Sequence, residues 1–174
     1  MHRLFHMVII GIDPAFRKGG FWAAFLDLQE RTAWFRSFRD VLVFDRFIHS
    51  ADAPERAFVV VENSNLQNIT FARHLGGKMN EITRKSRNVG TNQAVSELTV
   101  RAAIDRYGKD AVFNVSPERK GAKWNEIYFR AALKGDGFTP VNYSGTQDER
   151  DAYKLAHMGL FEIKKSRSLF AVRM

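Results

Sequence analysis

The stretch Met7-Val8-Ile9-Ile10-Gly11-Ile12-Asp13-Pro14 predicts the central strand of the fold. Its β-branched residues form an almost continuous apolar run, which is typical of a strand buried on both faces. The run ends at the carboxylate of Asp13, and Pro14 cannot continue a hydrogen-bonded ladder. Gly19-Gly20 then turns the chain, and the apolar segment 21–26 predicts an antiparallel partner. A rigid strand with an acid at its end suits a metal ligand, although a solvated surface acid is an equally good interpretation.

A second strand of the same kind follows later in the chain. The segment 57–61 reads Ala-Phe-Val-Val-Val and is followed directly by Glu62. If this strand and the first are parallel, Asp13 and Glu62 lie at the same edge of the sheet, where open α/β sheets place their sites.

Two further acids, Asp148 and Asp151, are predicted to lie in the first turns of the last helix. Thr146 and Glu149 have the spacing of a capping box, which marks where that helix begins. Residues three apart share a helix face, so the two aspartates point the same way. Acids near a helix N-terminus are also common simply because they favour the helix dipole.

Together the four carboxylates predict a site for hard divalent cations, which prefer oxygen ligands. Carboxylates packed together repel one another, and bound cations would relieve that repulsion. Two ions roughly 3.5–4 Å apart can hold an attacking water and stabilise the leaving oxygen of a phosphodiester.

The remaining pattern predicts one α/β domain spanning residues 1–174, with a central mixed sheet of five strands flanked by helices. Further strands are expected at 32–38 and 111–115, and helices at 92–107, at 124–133 and from 146 onward. The segment 41–48 fits a short helix or a strand. The polar segment 63–88 is expected to be a loop with a partly formed helix.

Composition indicates a polyanionic partner. The chain has 174 residues, with 27 basic against 19 acidic side chains and a net charge of +8. Predicted nucleic-acid contacts are Arg84, Lys85, Arg87, Arg119, Lys120 and Lys123. An ordinary basic enzyme is the alternative, and the cluster 164–167 fits a weak phosphate contact or a solvated tail.

The absence of cysteine excludes disulfides and thiolate metal sites. No signal peptide or membrane-spanning stretch is apparent, so a cytoplasmic protein is expected.

Several of these segments carry a family resemblance. Ile10-Gly11-Ile12-Asp13-Pro14 resembles the first-strand motif of RuvC-type Holliday junction resolvases, which are nucleases of the RNase H-like (retroviral integrase) superfamily. The segment from Asp148 to His157 is similar to that family's last-helix motif. Gly121-Ala122-Lys123 resembles its lysine-bearing loop, and the segment 90–94 resembles the start of its central helix.

The resemblance implies an RNase H-like fold and a metal-dependent endonuclease that cuts four-way DNA junctions as a homodimer. Asp13, Glu62, Asp148 and Asp151 would bind two Mg²⁺ or Mn²⁺ ions. Lys123 would stabilise charge that develops on the phosphate, with Lys120 as the alternative lysine.

Substrate preference stays open at this point. Asn65 stands where the family carries a junction-opening aromatic, and Phe71 is the nearest aromatic residue. A divergent or phage-like branch acting on branched DNA generally fits this difference. The alternatives are an RNase H-like nuclease for RNA–DNA hybrid or structured RNA, and a nucleic-acid-binding module without catalysis.

Overall fold

The computed structural model of the protein describes residues 7–14, 20–66 and 79–171, without the side chains of residues 79–86 and 166–171. The strands are β1 (Met7–Asp13), β2 (Phe21–Asp27), β3 (Thr32–Phe38), β4 (Arg56–Glu62), β5 (Val112–Val115) and β6 (Thr139–Pro140). The helices are α1 (Val41–Ile48), α2 (Met79–Tyr107), α3 (Pro117–Lys120), α4 (Glu126–Asp136) and α5 (Gln147–Ala171), with short 3₁₀ turns at Ser64–Leu66 and Lys109–Ala111.

The strands form one mixed sheet in the order β5-β4-β1-β2-β3-β6. β1 pairs in parallel with β4, and β4 with β5, whereas β1-β2-β3 is an antiparallel meander. The α/β class and the mixed sheet are confirmed for the described residues. The expected strand count of five is wrong, because β6 adds a sixth strand beside β3. Its two residues, Thr139 and Pro140, are too few to show a strand period.

The side chains of β1 point alternately to the two faces of the sheet, and each face has its own core layer. Ile10 and Ile12 pack on one face of the sheet in a cluster with Phe44 of α1 and Ala103 of α2. On the other face, Ile9 packs in a cluster that includes residues of α4 and α5. Because side chains alternate along a strand, Gly11 and Asp13 share the face of Ile9.

Gly11 is where α5 approaches the sheet most closely. A Cβ atom placed there would overlap the backbone of Ala152 and Ala156. α5 therefore runs directly over β1, two residues before Asp13, and this fixes the helix against the end of the strand.

Most other predicted elements occur close to their expected positions. Segment 41–48 is a helix, with Asp40 accepting a hydrogen bond from Val43 N as N-cap. The helix expected from residue 92 already begins at Met79, because its polar first half has no apolar face by which to recognise it. The segment 63–88, expected to be a loop with a partly formed helix, is helical over residues 79–88, and Phe71 lies outside the described residues. Within the described part of the chain, no helix combines the length and apolar character needed to cross a bilayer.

Candidate active site

The two strand-end acids lie side by side. Ile12 of β1 is in parallel register with Val61 of β4, so the next residues, Asp13 and Glu62, end adjacent strands at the same edge. Alternation places Glu62 on the same face as Val60, which packs with Leu155 of α5. Both carboxylates therefore lie on the α5 side of the sheet. Their position at one edge is what the sequence predicts if the two strands are parallel.

The third parallel strand delivers a lysine to this pair. Ser116 follows β5 and caps α3 by accepting a hydrogen bond from Arg119 N. This single turn carries Lys120 back over the strand ends, where its Nζ lies 2.8 Å from Asp13 Oδ2 and 2.5 Å from Glu62 Oε2. The Lys120 side chain is only 9% exposed. Burial alone would lower the pKa of Lys120, but the charges and hydrogen bonds of Asp13 and Glu62 outweigh it and raise that pKa. Lys120 is therefore a cation at neutral pH.

α5 brings a third acid, Asp151, which is fully buried. Its Oδ1 accepts a hydrogen bond of 2.8 Å from Gln147 Nε2, one turn earlier. Its Oδ2 is buried and has no hydrogen-bond partner among the described residues. Among the described residues, Lys123 places a cation near that oxygen, with its Nζ 3.9 Å away on a side chain that is 60% exposed. A buried carboxylate oxygen without a donor is costly and suits a cation ligand.

Asp13 and Asp151 are close enough to Glu62 for their charges to change its pKa. Burial raises the pKa of Glu62, the negative charges of Asp13 and Asp151 raise it further, and Lys120 opposes them. One buried ammonium therefore does not fully compensate the carboxylates, so an additional cation would stabilise them.

The capping box holds the start of α5 in place. The fully buried Glu149 accepts hydrogen bonds from Ser144 N at 3.1 Å and Thr146 N at 2.8 Å, while Thr146 Oγ1 accepts one from Glu149 N at 3.2 Å. The capping pattern expected from the sequence is thus confirmed. It fixes the helix turn from which Asp148 and Asp151 project.

Lys154 is a residue of this region that sequence reasoning missed. Its Nζ donates a hydrogen bond of 2.5 Å to Ala122 O and lies 5.5 Å from the centre of the Trp124 ring. Burial lowers the pKa of Lys154, as does the charge of Lys120. Lys154 thus ties the lysine-bearing loop to α5. Its position three residues after Asp151, on the same helix face, was the available signal.

The other predicted residues are more dispersed. Asp148 is partly exposed in the first turn of α5, and Arg87 is exposed on α2. The side chains of Arg84 and Lys85 lie outside the described residues. Arg119 forms a 3.0 Å ion pair with Glu162 and lies over the ring of Phe113. The structure therefore brings together Asp13, Glu62, Lys120, Asp151 and Lys123, whereas Arg119 pairs with Glu162 of α5 instead.

The donor set fits a hard divalent cation in its chemistry, since it consists of carboxylates and includes Asp151 Oδ2, which accepts no hydrogen bond from the described residues. In residues 7–14, 20–66 and 79–171, however, no three histidine, aspartate or glutamate side chains are arranged as a group that could hold a metal ion. The space between Asp13 and Glu62 is taken by the Lys120 ammonium.

Comparisons with protein-family models, with characterised proteins and with solved structures give no significant match for this chain.

Proposed function

We propose that the protein is a metal-dependent endonuclease of the RNase H-like type that cuts four-way junctions or other branched DNA. The observation that carries the proposal is the convergence of acids from three parts of the chain. Asp13 and Glu62 end adjacent parallel strands, and α5 adds the buried Asp151 on the same side of the sheet. Two of the four segments that resemble RuvC-type resolvases, residues 10–14 and 148–157, lie on or next to β1 and α5.

The acids would hold Mg²⁺ or Mn²⁺, with two ions per site. Asp13, Glu62 and Asp151 are the ligands we assign, together with the partly exposed Asp148. When bound, such ions supply Lewis-acid activation of water and neutralise charge on the phosphate. The exposed Lys123 side chain, whose Nζ lies 3.9 Å from Asp151 Oδ2, would contact a phosphate oxygen at the mouth of the site and stabilise developing charge there.

Charge supports a nucleic-acid substrate. The net charge of +8 attracts a phosphate backbone. The exposed Arg87, together with Arg84, Lys85 and Arg119, supplies further cations in the part of the sequence between Glu62 and Asp148. A homodimer would place one such site on each of two strands of a junction, as the family resemblance implies.

The proposal is tested by cleavage of a synthetic four-way junction, a linear duplex and an RNA–DNA hybrid in Mg²⁺. We expect the wild-type protein to cut the junction in preference, and Asp13→Asn to abolish cutting while leaving binding in Ca²⁺ intact. Asp110→Asn is the matched control, because Asp110 is exposed and precedes β5, at the opposite end of that strand from Ser116. If the protein cuts the RNA–DNA hybrid in preference, the hybrid rather than branched DNA is its substrate.

A nucleic-acid-binding module without catalysis is the second candidate. It is favoured by the Lys120 ammonium, which already neutralises part of the charge of Asp13 and Glu62. Salt-sensitive binding without cleavage of any of the three substrates in Mg²⁺ or Mn²⁺ would establish this function and exclude the nuclease.

A further inference from the structure

The position of Lys120 has a consequence for metal binding. Its Nζ is within contact distance of one oxygen from each strand-end acid, 2.8 Å from Asp13 Oδ2 and 2.5 Å from Glu62 Oε2. The side chain is 91% covered, since only 9% is exposed, so the ammonium is an integral part of the acid pair rather than a passing surface contact.

An ammonium and a divalent ion cannot share this position. Mg²⁺ requires its oxygen ligands at about 2.0–2.1 Å, so an ion bound by both Asp13 Oδ2 and Glu62 Oε2 would lie where the ammonium now lies. Two cations held close together in a buried site also repel each other strongly, because little water is present to screen them. Lys120 must therefore leave before these two oxygens can bind one divalent ion.

We propose that Lys120 is a built-in counterion that competes with the divalent cation for Asp13 and Glu62. This inference rests on the proposed function only in taking those acids as metal ligands. In the metal-free protein the ammonium stabilises the buried carboxylates. Metal binding displaces the ammonium, which then becomes available to a phosphate at the same edge.

The local backbone permits this exchange. Lys120 is the last residue of the four-residue α3, and Gly121 follows it with a φ of 70°, a conformation that glycine adopts without steric cost. Beyond Gly121, the bond from Lys154 to Ala122 O keeps the loop beside α5. The Lys120 side chain can thus change its rotamer while its backbone stays close to the acids.

The first test measures Mn²⁺ binding without nucleic acid, by calorimetry and by the electron paramagnetic resonance signal of free Mn²⁺. Lys120→Met removes the charge and keeps most of the side-chain length. We expect it to bind Mn²⁺ roughly tenfold more tightly than the wild-type protein, because a competing charge next to the carboxylates is lost. Lys120→Arg keeps the charge and should not gain affinity. Lys134→Met, a change at an exposed residue of α4, should match the wild-type protein.

The second test needs no variant and so does not depend on Lys120→Met folding. Lysine reactivity of the wild-type protein toward an amine-acylating reagent is measured by mass spectrometry during a Mn²⁺ titration. We expect the reactivity of the buried Lys120 to rise several-fold as the site fills, while that of Lys134 stays constant.

Unchanged or weaker Mn²⁺ binding by Lys120→Met, or constant Lys120 reactivity in the wild-type protein, would overturn the exchange. The two proposals can fail separately. Tighter binding and metal-induced exposure of Lys120 without cleavage of any DNA would leave the exchange standing and remove the nuclease. Cleavage by a wild-type protein whose Lys120 stays unreactive would leave the nuclease standing and remove the exchange.

Discussion

Substitution of Gly11 by alanine tests whether α5 and β1 are held together by direct backbone contact. The added Cβ would overlap Ala152 O and Ala156 N and would lie 2.9 Å from Ala156 Cα. All three obstacles are backbone atoms, so no side-chain rotation relieves them. Overpacking a core costs about 1–3 kcal/mol, and we expect a value at or above about 3 kcal/mol here. For a chain of this size that lowers Tm by about 6–12 °C.

The same substitution at Gly90 is the matched control. Gly90 lies exposed within α2, and a Cβ there would meet nothing within 4 Å. Alanine should therefore stabilise the helix by about 0.8–1.0 kcal/mol. Gly159→Ala should cost less than Gly11→Ala, since its nearest obstacles are the Ile9 and Val60 methyls at 2.9 Å.

Urea denaturation followed by far-ultraviolet circular dichroism measures all three variants. Under the proposed nuclease function, Gly11→Ala should also reduce cleavage at temperatures where the variant is still folded, because displacement of α5 moves Asp151 away from the strand ends. If Gly11→Ala and Gly90→Ala are equally stable, the close packing of α5 on β1 is refuted.

Two further predictions concern the helix cap and the basic surface. Glu149→Gln removes a buried charge that accepts hydrogen bonds from the loop before α5, so we expect a loss of about 1.5–3 kcal/mol in urea unfolding. The exposed Glu97→Gln should change stability by about 0.5 kcal/mol or less, and an equal loss in both variants would contradict the capping role. For DNA binding, Arg87→Gln should reduce the slope of log affinity against log salt by about 1. Arg119→Gln should reduce it less, because Arg119 is already paired with Glu162, and a larger effect at Arg119 would contradict the assigned surface.

The acid-bearing strands were predictable because their signals are local. β1 and β4 are apolar runs that each end in one carboxylate, and the Thr146–Glu149 spacing encodes the cap of α5 by itself. These features need no knowledge of distant contacts. The parallel pairing of β1 with β4 does need it, because the sequence argument only assumed that pairing and the structure shows it.

The lysines of the site were less accessible to sequence reasoning. Lys123 matched the family motif, but Lys120 is the residue that contacts the strand-end acids. Whether Lys120 or Lys123 reaches the acids depends on the Ser116 cap and the single turn of α3, which set the direction of the chain after β5. Sequence alone does not give that orientation. The role of Lys154 depends likewise on a carbonyl 32 residues earlier in the chain.

The docking of α5 on β1 also bears on events during synthesis. Asp13 and Glu62 emerge from the ribosome before Asp151 and the Gly11-facing turn of α5 do. Nascent chains that stop before α5 contain two of the acids without the helix that packs on β1. Such chains have no complete carboxylate set, so any activity that depends on this set would begin only once translation has passed that helix.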